Sequence, residues 1–290
     1  MPQPRILVTG ATGQLGALVI DALLKTVPAA DIAGLVRTPS KAEGLESREV
    51  QTRTGDYTDP ASLRTAFEGI EKLLFVSSGD LDGRAQQHRN VVTAAAQAGV
   101  TLIAYTSILH ADRSPLMLAE DHRQTEALLA ASGVPTVLLR NGWYTENYLA
   151  SLPAALAHDA VLGAACDGRI ASAARADYAD AAAAVLTSPH DQGGRTYELA
   201  GDAAYTLAEL AAELSRQVGR PIAYHDLPQA EFEKMLLGAG LPPFLAALLA
   251  DSDAGAAKGG LFDDSGELGR LIGRPTTPLA TSMAAVLKAG

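Results

Sequence analysis

The chain has 290 residues, 48% of them hydrophobic, and a net charge of −10. That size and apolar fraction suit one large α/β domain with a smaller appended part and argue against a disordered chain. The acidic balance argues against nucleic acid or an anionic membrane surface as the main partner, yet leaves room for an anionic cofactor held by local positive groups.

One cysteine, Cys166, rules out an internal disulfide framework, suits a reducing cytosol, and reads as a small core residue rather than a nucleophile. Met1-Pro2-Gln3-Pro4 runs into the first strand with no charged-then-apolar leader, so no signal peptide is expected and the cytoplasm is the expected compartment. No apolar stretch is long enough to span a bilayer.

In chain order, Ile6-Leu7-Val8 is a short β-branched run that reads as a buried parallel strand. Gly10, Gly13 and Gly16 follow, and then Ala17 to Leu24 carries a helical apolar pattern. Strand, glycine turn and helix is the layout of a dinucleotide site. Gly10 turns the chain off the strand, Gly13 has no Cβ to keep a pyrophosphate away, and Gly16 lets helix and strand pack closely. The helix N-terminus offers N–H groups to phosphate.

A second strand, 32–36, ends at Arg37-Thr38-Pro39-Ser40-Lys41. An acidic residue here takes the ribose hydroxyls of NAD. Arg37 instead offers a bidentate partner for the 2′-phosphate of NADP, with Lys41 adding charge, so NADPH is favoured; the alternative is two solvated surface charges. A third strand covers 49–54. Asp56 then suits an adenine contact, and Thr58 or Asp59 an N-cap ahead of Pro60. Helix 61–67 leads to a fourth strand, 72–78, whose tip Ser77-Ser78-Gly79 belongs beside the glycine turn. Its hydroxyls suit either a cofactor contact or a simple hydroxyl-capped turn.

Helix 84–98, a fifth strand at 102–107, a loop holding His110, a helix from about 117 to 129 and a sixth strand at 136–140 come next. The sixth strand feeds Asn141-Gly142-Trp143-Tyr144-Thr145-Glu146-Asn147-Tyr148, which is either a stacking surface for a flat apolar substrate or packing under a loop. Beyond Pro153 the pattern predicts a glycine-interrupted hairpin over 161–173, an alanine-rich helix over 177–186, a strand at 197–199, a helix over 207–218 and a strand over 222–227. Broken helices start at Gln229, and 255–264 reads as a loop. Repeated strand–helix alternation makes this an α/β chain with a Rossmann-type doubly wound parallel sheet. Residues 1–150 are the expected NADP-binding domain, with later segments returning to it, and 151–290 a smaller C-terminal α/β part on the substrate side.

TGATGQLG (9–16), VRTPSKA (36–42), AYTSILHAD (104–112), LLRNGWYTENYL (138–149), ASAARADYA (171–179) and KGGLFDDS (258–265) extend across almost the whole chain. Together they resemble the NmrA-like branch of the atypical short-chain dehydrogenase/reductases, and within it the bacterial NADPH:quinone oxidoreductases of type 2, near triphenylmethane reductase. The first motif is common to a large superfamily; the NGWY and GGLFDD stretches are far more specific. The resemblance implies NADPH held along Thr9, Gly10, Ala11, Thr12, Gly13, Gln14, Leu15 and Gly16, by Arg37, by Ser77, Ser78 and Gly79, and by Asn141, Gly142, Trp143, Tyr144, Thr145 and Glu146. Arg175 joins this set or is a surface arginine. The implied reaction is hydride transfer from NADPH to a quinone.

The Tyr-x-x-x-Lys pair of typical short-chain dehydrogenases is absent; the helix after the fifth strand reads His122-Arg-Gln-Thr-Glu126. An alkoxide-level oxygen needs a positioned acid or base. A quinone accepts hydride to give a far less basic hydroquinone anion, so such a site works by orientation. The candidate helpers are Tyr105, His110, His122, Asn141, Trp143, Tyr144 and Asn147, with Tyr144, Asn141 and His110 as the catalytic candidates. A non-catalytic NADP(H)-binding sensor is the alternative, and a sugar-nucleotide epimerase lacks its acid/base pair. The histidines show no metal-binding spacing and Asp263-Asp264 no calcium-loop pattern, so no metal is expected. The expected partner is a small planar acceptor, with no nucleic acid and no membrane. The alanine-rich 177–186 helix packs either internally or against a second copy in a homodimer.

Overall fold

A computed structural model describes residues 4–80 and 83–289. Nine strands are present among them: β1 (Ile6–Val8), β2 (Ile32–Val36), β3 (Gln51–Thr54), β4 (Lys72–Phe75), β5 (Leu102–Ile108), β6 (Thr136–Asn141), β7 (Ala160–Gly163), β8 (Thr196–Leu199) and β9 (Ala223–Asp226). Seven form one sheet in the order β3-β2-β1-β4-β5-β6-β8. The registers from β3 across to β6 are all parallel. The order reverses between β1 and β4, which makes the carboxyl ends of those two strands the switch point where such sheets bind ligands. The expected α/β doubly wound sheet is therefore the fold observed.

The chain divides into two compact units. One comprises 1–108, 120–141 and 175–197; the other 109–119, 142–174 and 198–290. In the first unit, β1 and β2 are buried throughout, as strands covered on both faces must be. Phe67, Phe75, Val91 and Tyr105 belong to one core that fills the space between the sheet and helices Pro60–Phe67 and Arg84–Ala98. Helix Gln14–Leu23 packs against Arg175–Thr187. The alanines of the latter are largely buried in this contact region, where small side chains let helices approach closely. The alanine-rich helix is thus internal. In the second unit, β7 and β9 pair in parallel as a small sheet.

Several boundaries differ from the sequence reading for identifiable reasons. Helix Gln14–Leu23 starts three residues ahead of the apolar pattern, because extended Gly13 serves as its N-cap. Glu49 takes a left-handed φ of 59°, so β3 begins only at Gln51. Asp59, not Thr58, caps Pro60–Phe67 by accepting from Ala61 N–H. The 117–129 helix starts at Ala119 and runs to Ala131.

The hairpin expected over 161–173 is absent. β7 pairs with β9, some 60 residues further on, and Ile170 and Ala173 make isolated bridges to Tyr205 and Tyr144. The 255–264 run is not all loop, since helix Pro243–Ala256 carries through Gly255. Cys166, expected in the core, is exposed. Its thiol donates to Asp226, whose carboxylate pushes the thiol pKa up and leaves it a poor nucleophile.

Gly10 sits at φ +58°, and a Cβ on Gly16 would lie 2.2 Å from the Gly10 carbonyl oxygen. The helix can approach the strand only because position 16 has no side chain. Gly16→Ala is expected to destabilise the chain by about 1–3 kcal/mol. Gly44→Ala, where a Cβ meets nothing within 4 Å, should be neutral or slightly stabilising in its helix. Urea-denaturation midpoints of the two variants check the contrast.

Candidate functional site

In the first unit, β4 ends at Phe75 rather than at Ser78 because its next three N–H groups leave the ladder. Val76 N–H donates to Thr9 Oγ1 (2.9 Å), Ser77 N–H to Thr106 Oγ1 (2.9 Å) and Ser78 N–H to His88 Nε2 (3.0 Å). With Nε2 accepting, the His88 proton lies on Nδ1, 2.8 Å from Thr125 Oγ1, which itself donates to the Asp121 carbonyl. Burial, reinforced by nearby Arg84, pushes the His88 pKa down to about 3, so the ring stays neutral and keeps its acceptor. Arg84 donates to the Ser78 carbonyl (2.7 Å), and Ser78 Oγ donates to Gln87. Tyr57 places its hydroxyl 2.6 Å from Thr9 Oγ1. Side chains buried behind the turn therefore hold 76–79 in place.

In front of this framework is a cleft of about 520 Å³. Gly10, Thr12, Gly13, Arg37, Ser77, Ser78 and Gly79 line it, all expected from the sequence, together with Asp56, Tyr57, Asp80 and Gln87. Gly10, Thr12, Gly13 and Gln14 are exposed, whereas Thr9, Ala11, Leu15 and Gly16 are buried as the backing of the turn. Arg37 is exposed and has no partner among the described residues; the Lys41 side chain lies outside them. A phosphate-bearing dinucleotide fits here on two counts: bare backbone at the start of a helix, and an uncommitted guanidinium at the tip of β2. Asn141 at the end of β6 is buried, and its Oδ1 has no hydrogen-bond partner among the described residues. A buried acceptor left open in this way is suited to an amide N–H from a ligand. Arg175 opens the helix Arg175–Thr187 of the same unit.

Tyr105 and His122 lie in the interior of this unit, 2.9 Å apart through Oη and Nδ1. Burial pushes Tyr105 up to about 12 and His122 down to about 3. Glu126 is held by Arg140 through two hydrogen bonds (3.0 and 2.7 Å) and by the Ser107 hydroxyl (2.6 Å). The two positions read from the helix after the fifth strand are thus spent on internal partners.

The second unit carries Gly142 to Asn147 and His110. Gly142 N–H donates to the Leu199 carbonyl, Tyr144 precedes the helix Thr145–Leu149, and Thr145 shares a hydrogen bond with Ser172. Glu146 and Asn147 are half-buried. His110 has its ring nitrogens 3.5 Å from Glu198 and 3.4 Å from Asp263. It fastens the 109–119 loop to the GGLFDD stretch, whose role the sequence alone left open. Trp143 and Asn147 line an apolar cavity of about 450 Å³ with Tyr148 and Asp253 at its wall.

Sequence reasoning missed Tyr57, Arg84 and Gln87 in the first unit and Asp253 in the second, whereas Tyr148 belongs to the 141–148 stretch it singled out. Asp253 carried one signal, a lone pair of acids in an otherwise apolar helix; Tyr57 carried none. Among the described residues, no group of three or more His, Cys, Asp or Glu is placed to hold a metal ion, and no helix is long and apolar enough to cross a membrane.

Asp253 accepts from Tyr148 Oη (3.1 Å) and from Ala164 N–H (3.0 Å) while only 4% exposed. Burial pushes its pKa up from 3.8 to about 6. Between those values the folded chain holds a proton that the unfolded chain has released, so this group's contribution falls as pH rises through the window. The loss totals on the order of 3 kcal/mol. In Asp253→Asn, Oδ1 can accept from Ala164 and Nδ2 donate to Tyr148. The variant should gain stability over the parent at pH 8 but not at pH 4, as read from paired thermal melts.

A family described as NAD(P)H-binding matches residues 10–189. Quinone oxidoreductase 2 of Escherichia coli (strain K12) is 57% identical over 278 residues, covering 96% of this chain and 97% of its own. Among solved structures, the fold is similar to an NADPH-dependent quinone oxidoreductase from Escherichia coli complexed with NADPH, at TM-score 0.95 and 56% identity over 97% of this chain and 99% of that one. It is also similar to Citrobacter sp. triphenylmethane reductase complexed with NADP(H), at TM-score 0.93 and 39% identity over 97% and 99%.

Proposed function

The chain belongs to the NAD(P)H-binding family, and on that premise we propose that it is an NADPH-dependent quinone oxidoreductase. The observation that carries the reading is the glycine-built cleft with Arg37 at the tip of β2, in a chain 57% identical to a quinone oxidoreductase. Bound NADPH supplies the hydride.

The chain's own residues do the rest. Backbone N–H groups of the turn around the exposed Gly10, Thr12 and Gln14 bind the pyrophosphate, and Arg37 pairs with the 2′-phosphate, the group that NADH lacks. Ser77, Ser78 and Gly79 bound the cleft, and the buried network behind them keeps it open without rearrangement. Asn141 Oδ1 accepts from the carboxamide of the nicotinamide and so fixes the ring's orientation. Tyr144 donates a hydrogen bond to a quinone oxygen. His110, engaged by Glu198 and Asp263, keeps the 109–119 loop in place. A quinone needs orientation more than a strong acid, because its hydroquinone anion is weakly basic, and the internal use of His122 and Glu126 supports a mechanism without an acid/base pair.

Oxidation of NADPH by a simple benzoquinone, followed beside NADH and beside an enzyme-free blank, tests the reading. Protein-dependent turnover that prefers NADPH is expected. Arg37→Ala should raise the KM for NADPH about 10- to 100-fold, as loss of a charge-assisted contact does, and change that for NADH little. Tight NADPH binding with no turnover above the blank would leave a cofactor-binding sensor. Tyr144→Phe and Asn141→Ala should each lower kcat/KM about 5- to 10-fold, the cost of one neutral hydrogen bond. Unchanged values would remove those two residues from the mechanism.

A further inference from the structure

The cavity in the second unit is not explained by binding a bare quinone ring. Its volume of about 450 Å³ lies in the range of pockets for drug-sized ligands, far above what a single six-membered ring fills. Trp143, Val161, Leu210, Phe232, Met235 and Leu236 line it. Met235 is 51% exposed and Leu162, also in the lining, is 37% exposed. Large apolar side chains thus stand in solvent where the cavity opens. Two of the polar groups in its wall are paired with each other: Tyr148 donates to Asp253, which also accepts from Ala164 N–H; Asn147, Ser151 and His158 are the other polar lining residues. No lysine or arginine is among the lining residues described. A ligand carrying a carboxylate would find no lysine or arginine there, only the exposed ring of His158, and would meet the acidic Asp253.

We propose that this cavity selects the acceptor by binding a neutral, lipophilic substituent on the quinone, an alkyl or prenyl chain. The proposal rests on the quinone-reductase reading for the identity of the ligand, and on the cavity alone for its class. Each methylene buried should tighten binding about three- to fourfold until the cavity is filled.

Trp143 is the only tryptophan of the chain and lines the cavity, so its emission reports occupancy without any turnover. The test has two arms, both on the full-length protein. In the first, Trp143 emission is titrated with redox-inert 2-alkyl-1,4-dimethoxybenzenes of increasing chain length, and with laurate. In the second, KM and kcat are measured for 1,4-benzoquinones carrying the same alkyl chains. The expected result is an affinity that rises with chain length, weak or no binding of laurate, and a KM that falls along the quinone series. Met235→Glu and Leu162→Glu, at positions 51% and 37% exposed, should cut the preference for the alkylated over the bare quinone at least tenfold, with thermal melts of both variants confirming that they fold.

A flat response to chain length, or tighter binding of laurate than of the neutral ethers, overturns the proposal. If quinones are reduced but chain length changes nothing, the cavity assignment fails and the reductase reading stands. If the ethers bind with the expected dependence but no quinone is reduced, the reductase reading fails, and the cavity remains a site for a neutral lipophile.

Discussion

The cofactor cleft depends on how β4 stops. A parallel strand that ends at a ligand site must surrender its ladder partners, and an unpaired buried N–H costs free energy comparable to a lost hydrogen bond. Here three successive N–H groups, on Val76, Ser77 and Ser78, go to Thr9, Thr106 and His88. Each acceptor comes from a different element. The turn is therefore tied at once to the end of β1, to β5 and to helix Arg84–Ala98. His88 can serve only as a neutral ring, and the burial that lowers its pKa to about 3 guarantees that state. The same burial that forms the core thus sets the protonation that holds the cleft.

The two units use polarity in opposite ways. In the first, the core is closed behind a polar cleft whose one uncommitted cation, among the described residues that line it, is Arg37. In a chain of net charge −10, that isolation is informative: an anion is attracted by one local group and by helix-end N–H groups, not by the field of the whole protein. In the second unit the polar atoms of Tyr148 and Asp253 satisfy each other, and what faces the cavity is predominantly hydrocarbon. The polar cleft and the apolar cavity are thus lined by different residues in different units.

What was legible in the sequence follows the range of the interactions involved. The glycine turn, Arg37 and the strands β1 and β2 are local patterns, and they stand where the pattern put them. Helices Arg84–Ala98 and Leu207–Val218 match to the residue, because Gly99 and Gly219 mark their ends in the left-handed conformation. The end of β4 was not legible, since its acceptors lie 10 to 67 positions away. Nor was the pairing of β7 with β9, which replaced a plausible local hairpin with a partner 63 residues on in register. Asp253 is one of two acids in an otherwise apolar helix, and only its burial beside Tyr148 separates it from a surface carboxylate. Cys166 shows the converse error, for a composition-based expectation of burial gave way to a turn at φ 47° that carries the side chain outward.

The internal use of His122 and Glu126 bears on the chemistry more directly than the missing tyrosine and lysine do. An acid/base catalyst must exchange a proton with substrate and with solvent. His122 is buried, bonded to Tyr105 and held neutral. Glu126 is clamped by a bidentate arginine and a serine hydroxyl. Neither group is available for that exchange, so this helix acts as framework and not as machinery. What remains for rate enhancement is placement of the reacting rings, and placement is what rigid surroundings supply. A quinone is the acceptor that makes such a site sufficient, because the anion formed on hydride addition is stable enough to leave before it finds a proton.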